Sequence, residues 1–132
     1  MANAVAVLMV ETALPIMMSC ADAAIPKGTI LQLSGAFTVS ASSAADQEFG
    51  GIAAEEKISG DGKLMIAVYR QGIFKCESGT NATTIGLPQV IDDGANELTD
   101  AVAGDAELGL VFGRALETAA NGQFFLLELG TM

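Results

Sequence analysis

With no histidine anywhere in its 132 residues, the chain has no Ser-His-Asp or Cys-His nucleophile and lacks a favoured ligand of catalytic zinc. Carboxylates are the remaining candidates, because two well-placed acids suffice for glycoside hydrolysis. Glu55-Glu56 and Asp92-Asp93 are adjacent pairs. Neighbours on a strand point to opposite faces, so neither pair converges on one substrate. A single Tyr, Tyr69, and no Trp leave a sugar-stacking platform poorly supplied. DDGANELTD (92–100) lacks the alternating ligands and closing Glu of a calcium loop, although Asp92, Asp93, Asn96 and Glu97 offer oxygens for a weak surface cation. SGDGK (59–63) is too short for a phosphate-binding loop and has no following Ser or Thr. Asn81-Ala82-Thr83 is a formal glycosylation sequon, relevant only in a eukaryotic secretory setting. The residues thus predict no enzyme, no cofactor and no metal site.

Cys20 and Cys76 each lie in an apolar or alternating stretch, IMMSC and IFKCES. They read as structural thiols, with a mutual disulfide as the alternative. The six basic residues, Lys27, Lys57, Lys63, Arg70, Lys75 and Arg114, are scattered singly in a chain of net charge −10. That distribution disfavours nucleic acid and anionic membrane surfaces as partners. Charged residues are 17% and apolar residues 51%, against about 25% and 45–50% in a typical domain. Other chains are therefore expected to cover part of the surface. The first twenty residues resemble a secretory leader. They have no Lys or Arg, and Glu11 and Pro15 interrupt the apolar run, so the segment reads as mature protein.

The elements that must carry these residues are short. Apolar runs suggest strands at Val5–Val10, Ile16–Cys20, Thr29–Leu33, Phe37–Ser40, Phe49–Ala54, Leu64–Tyr69, Gly72–Glu77, Gln89–Ile91, Leu108–Leu116 and Phe124–Leu129. Ser34-Gly35, Asp61-Gly62, Ser78-Gly79, Asp93-Gly94 and Asn121-Gly122 separate many of them with turn chemistry. Such a density of strands and turns predicts a mainly β, compact single domain over 1–132, a sandwich or barrel built on hairpins. SSAADQE (42–48) and LTDAVAGDAEL (98–108) are each expected to hold a short helix or a loop.

One block occurs twice: GIAAEEKISGDG (51–62) before KLMIAVY, and GRALETAANG (113–122) before QFFLLEL. Gly51 aligns with Gly113, Ala53 with Ala115, Glu55 with Glu117 and Gly62 with Gly122, the first copy being two residues longer. Either the similarity is chance in a Gly/Ala-rich chain, or two related hairpins pack pseudo-symmetrically. The Gly-x-Ala pattern leaves one strand face nearly flat, open to a backbone or another subunit. The Glu before each turn can accept from backbone N–H groups or stay in solvent.

ETALPIMMSCADAAIPKGTILQLS (11–34), FGGIAAEEKISGDGKLMIAVYRQGIFKCE (49–77) and VFGRALETAANGQFFLLELG (111–130) together cover most of the chain after residue 10. In their order this chain resembles the capsid decoration, or cement, proteins of tailed bacteriophages. The resemblance rests on Pro15-Ile16, then Ala21-Asp22-Ala23, then Ile25-Pro26-Lys27-Gly28-Thr29 leading into an apolar strand. It implies a compact β-barrel or β-tulip-like fold. It also implies a homotrimer at local threefold axes on the outer surface of a virion, made in the host cytoplasm. The implied partner is the major capsid (coat) protein, whose neighbouring subunits the trimer braces. Residues 1–12 are a candidate N-terminal arm, with Val5–Val10 pairing with a neighbour's edge strand. Candidate interface residues are Val5, Val7, Leu8, Met9, Val10, Pro15, Met17, Gly51, Ala53, Gly113 and Ala115. The alternative from another class is a soluble β-clip-like module binding a sugar or peptide.

Overall fold

The computed structural model describes residues 5–45, 47–79, 81–92, 96–102, 104–105 and 109–130. Their strands are β1 (Val7–Val10), β2 (Ile16–Cys20), β3 (Ile30–Gly35), β4 (Thr38–Ala41), β5 (Phe49–Ala53), β6 (Met65–Tyr69), β7 (Gly72–Ser78), β8 (Pro88–Ile91), β9 (Glu97–Asp100), β10 (Gly113–Ala115) and β11 (Phe124–Leu129). β2, β4, β3, β5 and β6 close a barrel in that order. β7, β9, β8, β10 and β11 close a second ring in the same order, because β7 pairs with both β9 and β11. β1 lies outside both rings, antiparallel on β7.

The repeat read in two hairpins extends to the whole barrel. Met18 faces Ile66 as Cys76 faces Phe125, and Ala53 faces Val68 as Ala115 faces Leu127. Leu33 faces Val39 as Ile91 faces Leu98. Each barrel is closed by a parallel pair, Cys20 with Val39 and Ser78 with Leu98. Even the bridges outside the strands correspond, Ile25 with Lys57 and Thr83 with Ala119. Gly28 and Gly86 take the same turn position with φ near +87° and +85°. The connection after β5 (54–64) is three residues longer than that after β10 (116–123), one more than the sequence alignment suggests.

Strand alternation then explains the apolar runs of the first half. Leu31, Ala53 and Val68 point into the first barrel. Their neighbours Ile30, Ile52 and Tyr69 point outward and join the core of the second barrel, with Phe74, Phe112 and Leu129. The first-barrel strands are thus buried on both faces, and each fully buried Ile contributes about 1.5–3 kcal/mol. The corresponding outward positions of the second barrel are Pro88, Arg114 and Glu128; Arg114 and Glu128 are exposed and Pro88 is only partly buried. The barrels therefore dock through non-equivalent faces, which replaces the pseudo-symmetric packing expected from the repeat. Asn96 clips the joint: its Oδ1 accepts from the Ile30 N–H at 2.8 Å, and its own N–H donates to Ser42 Oγ at 3.3 Å.

Nine strand ends move by a residue or two. Two expectations change further. The stretch 42–48 is not one of them: expected as a short helix or a loop, it is a loop in its described residues, where the Gln47 side chain caps the turn by accepting from the Ser43 and Ala44 N–H groups. LTDAVAGDAEL begins instead as β9, missed because Leu98 is its single buried apolar residue and its pairing with β7 is long-range. Of the run expected as a strand over Leu108–Leu116, Leu108 lies outside the described residues and the rest is regular only at Gly113–Ala115.

Candidate interaction surface

The small residues of the repeat lie inside the fold. Gly51, Ala53, Gly113 and Ala115 are all buried, which removes them from the candidate interface. Their size serves strand-to-strand approach within each barrel. A Cβ on Gly51 would meet Val68 Cγ1 at 2.5 Å and Tyr69 O at 2.6 Å, and one on Gly113 would press into the Glu128 carbonyl. Glu55 and Glu117 behave alike: Glu55 Oε2 accepts from the Ala67 N–H at 2.8 Å, and Glu117 Oε1 from the Leu126 N–H at 3.0 Å. Each ties the turn back onto the following strand, and neither faces a second carboxylate.

The extra length of the 54–64 connection builds a charged clamp. The buried Lys57 Nζ lies 2.7 Å from Asp22 Oδ1 and 2.6 Å from Asp61 Oδ1. The Gly60 and Gly62 N–H groups also donate to Asp22. The hydrogen bond from Lys57 holds both Asp carboxyls below their usual value. Burial opposes the charge on Lys57, but its two Asp partners outweigh that and raise its pKa. The second barrel has Ala119 at the Lys57 position and places its polar groups at the other wall. There Ser78, Thr83 and Gln89 stand where the first barrel has Cys20, Ile25 and Leu31. Thr83 Oγ1 donates to Ser78 Oγ at 2.9 Å, and Gln89 Nε2 to Asp100 Oδ1 at 2.8 Å. Burial pushes the Asp100 carboxyl up, yet donation from the Thr84 N–H and Gln89 brings it below the usual range.

These depressed carboxyls fix an acid response. A group whose folded pKa lies below the unfolded value of about 3.9 stabilises the fold above that value and loses the effect as pH falls through the folded one. Thermal unfolding is therefore expected to hold a steady midpoint from pH 7 to about 5 and to drop below about pH 4. In Lys57→Met, which leaves the Asp22 and Asp61 carboxylates beside each other without the cation between them, the midpoint at pH 7 is expected to fall by several degrees. The acid-side loss should also shrink. A Lys57→Met protein with the parental midpoint at pH 7 would contradict this role. The raised Lys57 pKa keeps its own contribution through neutrality, losing it only at strongly alkaline pH.

Both cysteines are buried and free, Cys20 in the first barrel's core and Cys76 in the second's. Burial pushes both thiols up, as expected of thiols packed in a core. Among the oxygens proposed for a cation, Asn96 is spent on the barrel joint, Asp92 is buried, and Asp93 lies outside the described residues.

A groove of about 570 Å³ lies at the barrel joint, lined by Leu33, Phe49, Arg70, Gln71 and Val111 among others. Its one aromatic ring is already covered: the Arg70 guanidinium sits 4.3 Å over the Phe49 centroid. Burial holds Arg70 below its usual pKa. No family model matches this chain, and no curated protein is similar to it in sequence. In structure it is similar to the N-terminal base of head fiber gp8.5 of bacteriophage phi29, with a TM-score of 0.56. The two share 16% identity, over 92% of this chain and 94% of that one. At that identity the likeness establishes the fold: an all-β, two-barrel architecture carried over nearly the full length of both chains.

What remains at the surface is apolar. Of the fourteen large hydrophobic residues exposed among the described residues, six lie within 7–17: Val7, Met9, Val10, Leu14, Ile16 and Met17. Leu8, Val5 and Pro15 are half-buried beside them. The N-terminal candidates thus fall in one stretch of sequence, divided between β1 and the start of β2. β1, expected to reach a neighbour, pairs with β7 of its own chain, Val7 opposite Lys75 and Leu8 opposite Phe74.

Proposed function

We propose that this chain is a structural protein of a phage head, with no catalytic role. It binds the outer surface of the assembled shell as a homotrimer at local threefold axes and bridges neighbouring coat subunits. The observation that carries this reading is the fold shared with a phage head fibre base over nearly the whole of both chains. The ordered resemblance of 11–34, 49–77 and 111–130 to capsid decoration proteins points the same way. The concentration of exposed apolar residues in 7–17 suits a chain that works against other chains. Each contact on a lattice is modest, and several engaged at once give avidity. The net charge of −10 keeps free copies soluble and favours basic patches on a coat. The groove at the barrel joint offers a β-clip-like sugar module little, since its Phe49 ring is covered and a stacking platform needs an open aromatic face.

Quantitative mass spectrometry of purified particles tests the reading. A fixed ratio near one copy per coat subunit is the expected result. A few copies per particle would move the chain to a vertex or tail. Absence from particles would overturn the proposal.

A further inference from the structure

The two barrels differ at one strand edge. On β7, the edge shared with β9 at Glu77 and Ser78 is completed by β1, which covers Ile73, Phe74 and Lys75. On β2, the equivalent edge is completed by β4 only at Ser19 and Cys20. Phe74 faces Leu127 as Ile16 faces Val68, so the positions that β1 covers on β7 correspond to Pro15, Ile16 and Met17 on β2. No strand of the described residues pairs with them there. The Ser19 N–H donates toward β4, to Phe37 O at 3.0 Å. Alternation along the strand therefore aims the Met17 N–H and C=O at the same open side. Leu14, Ile16 and Met17 are 79%, 43% and 49% exposed. Met17 also lines a groove of about 410 Å³ with Leu64 and Met65, rimmed by Glu55 and Lys63.

We propose that this open β2 edge is a strand-docking site filled by β1 of a second copy of this chain. β1 would then lie between its own β7 and the neighbour's β2. The chain already places β1 on the corresponding edge of its other barrel, so β1 fits an edge of this geometry. β1 is itself an edge strand whose Val7, Met9 and Val10 remain about half exposed. Neither VLMV nor LPIM carries a charge, and in a chain of net charge −10 the uncharged stretches are where two copies can approach. Along this edge Met17 offers both its N–H and its C=O and Pro15 only its C=O, and an apolar edge with such free groups favours pairing with another strand. The inference concerns self-association and holds whether or not a shell is the wider partner.

The test uses the isolated full chain, with no shell present. Ile16 is replaced by the photoreactive residue p-benzoylphenylalanine, and cross-links are mapped by mass spectrometry. The expected product joins position 16 to residues 5–12 of a second copy and fades on dilution. On the unaltered protein, hydrogen exchange at the Met17 amide is expected to slow as concentration rises. Val7→Lys, on an exposed side chain, should weaken association about tenfold or more, with circular dichroism unchanged. Cross-links confined to other regions would overturn the proposal. So would a Met17 amide that exchanges at the same fast rate at every concentration.

Discussion

Phe112→Ala is expected to lower the free energy of unfolding by about 3–5 kcal/mol, the range for emptying a fully enclosed aromatic site. Phe112 has no exposed surface and meets Phe49 edge-on, ring centroids 4.7 Å apart. Its backbone cannot relax inward to fill the void: its N–H donates to Gln89 O, and its carbonyl accepts from the Gly130 N–H, each at 2.8 Å. The cluster around it takes Ile30, Ile52 and Tyr69 from the first barrel as well as Phe74, Phe125 and Leu127 from the second. The loss should therefore fall on both barrels, as one cooperative transition shifted to lower urea. Urea melts followed by circular dichroism check this. A loss under about 1 kcal/mol, or two separated transitions, would show that the joint is not a shared core.

Gly113→Ala is expected to cost about 2–4 kcal/mol although it adds one methyl group, because the obstruction is backbone. The new Cβ would press into the Glu128 carbonyl and come within 3.0 Å of Leu129 Cα. β10 and β11 would have to separate at the Gly113–Leu129 pair. Gly51→Ala should behave alike, since φ is +129° there and Tyr69 O lies 2.6 Å from the added atom. Gly122→Ala is the comparison: its φ is +78°, but the space around it is open, so only the left-handed backbone is penalised, by about 1–2 kcal/mol. Thermal melts of the three variants should rank Gly122→Ala as the mildest. Equal losses at Gly51 and Gly122 would mean that the left-handed backbone alone, and not close approach, accounts for Gly51, and a negligible loss at Gly113, whose φ is not positive, would remove close approach there.

That repeated glycine shows how far the sequence could be read. The Gly-x-Ala pattern announced a flat strand face, and the fold has one at both places. Whether the face meets another subunit or the adjacent strand depends on registers that composition does not encode. The barrel-wide duplication was visible only where side chains coincided. Ile25 against Thr83, Lys57 against Ala119 and Leu31 against Gln89 occupy the same backbone positions with unrelated chemistry. Strands with clear alternation, such as Ile16–Cys20 and Phe124–Leu129, were legible to the residue. β9 was not, because a parallel closing pair formed across some twenty residues leaves no local period. The buried Lys57 was read only as one of six scattered bases, since nothing local signals that Asp22 lies beside it.

The placement of β1 sets an order of events during synthesis. β1 leaves the ribosome well before its partner strand, which begins only at Gly72. The first barrel is complete by Tyr69 and can close on its own core while the rest is being made. Through that interval β1 has no sheet to join, and Ile30, Ile52 and Tyr69 stand uncovered on the outside of the nascent barrel. The second barrel would then form against that apolar wall, with β1 able to dock only once β7 is made. Nascent copies crowded on one message would meet with these surfaces bare, so the window between residue 69 and the closing of β11 is when misassembly competes most strongly with folding.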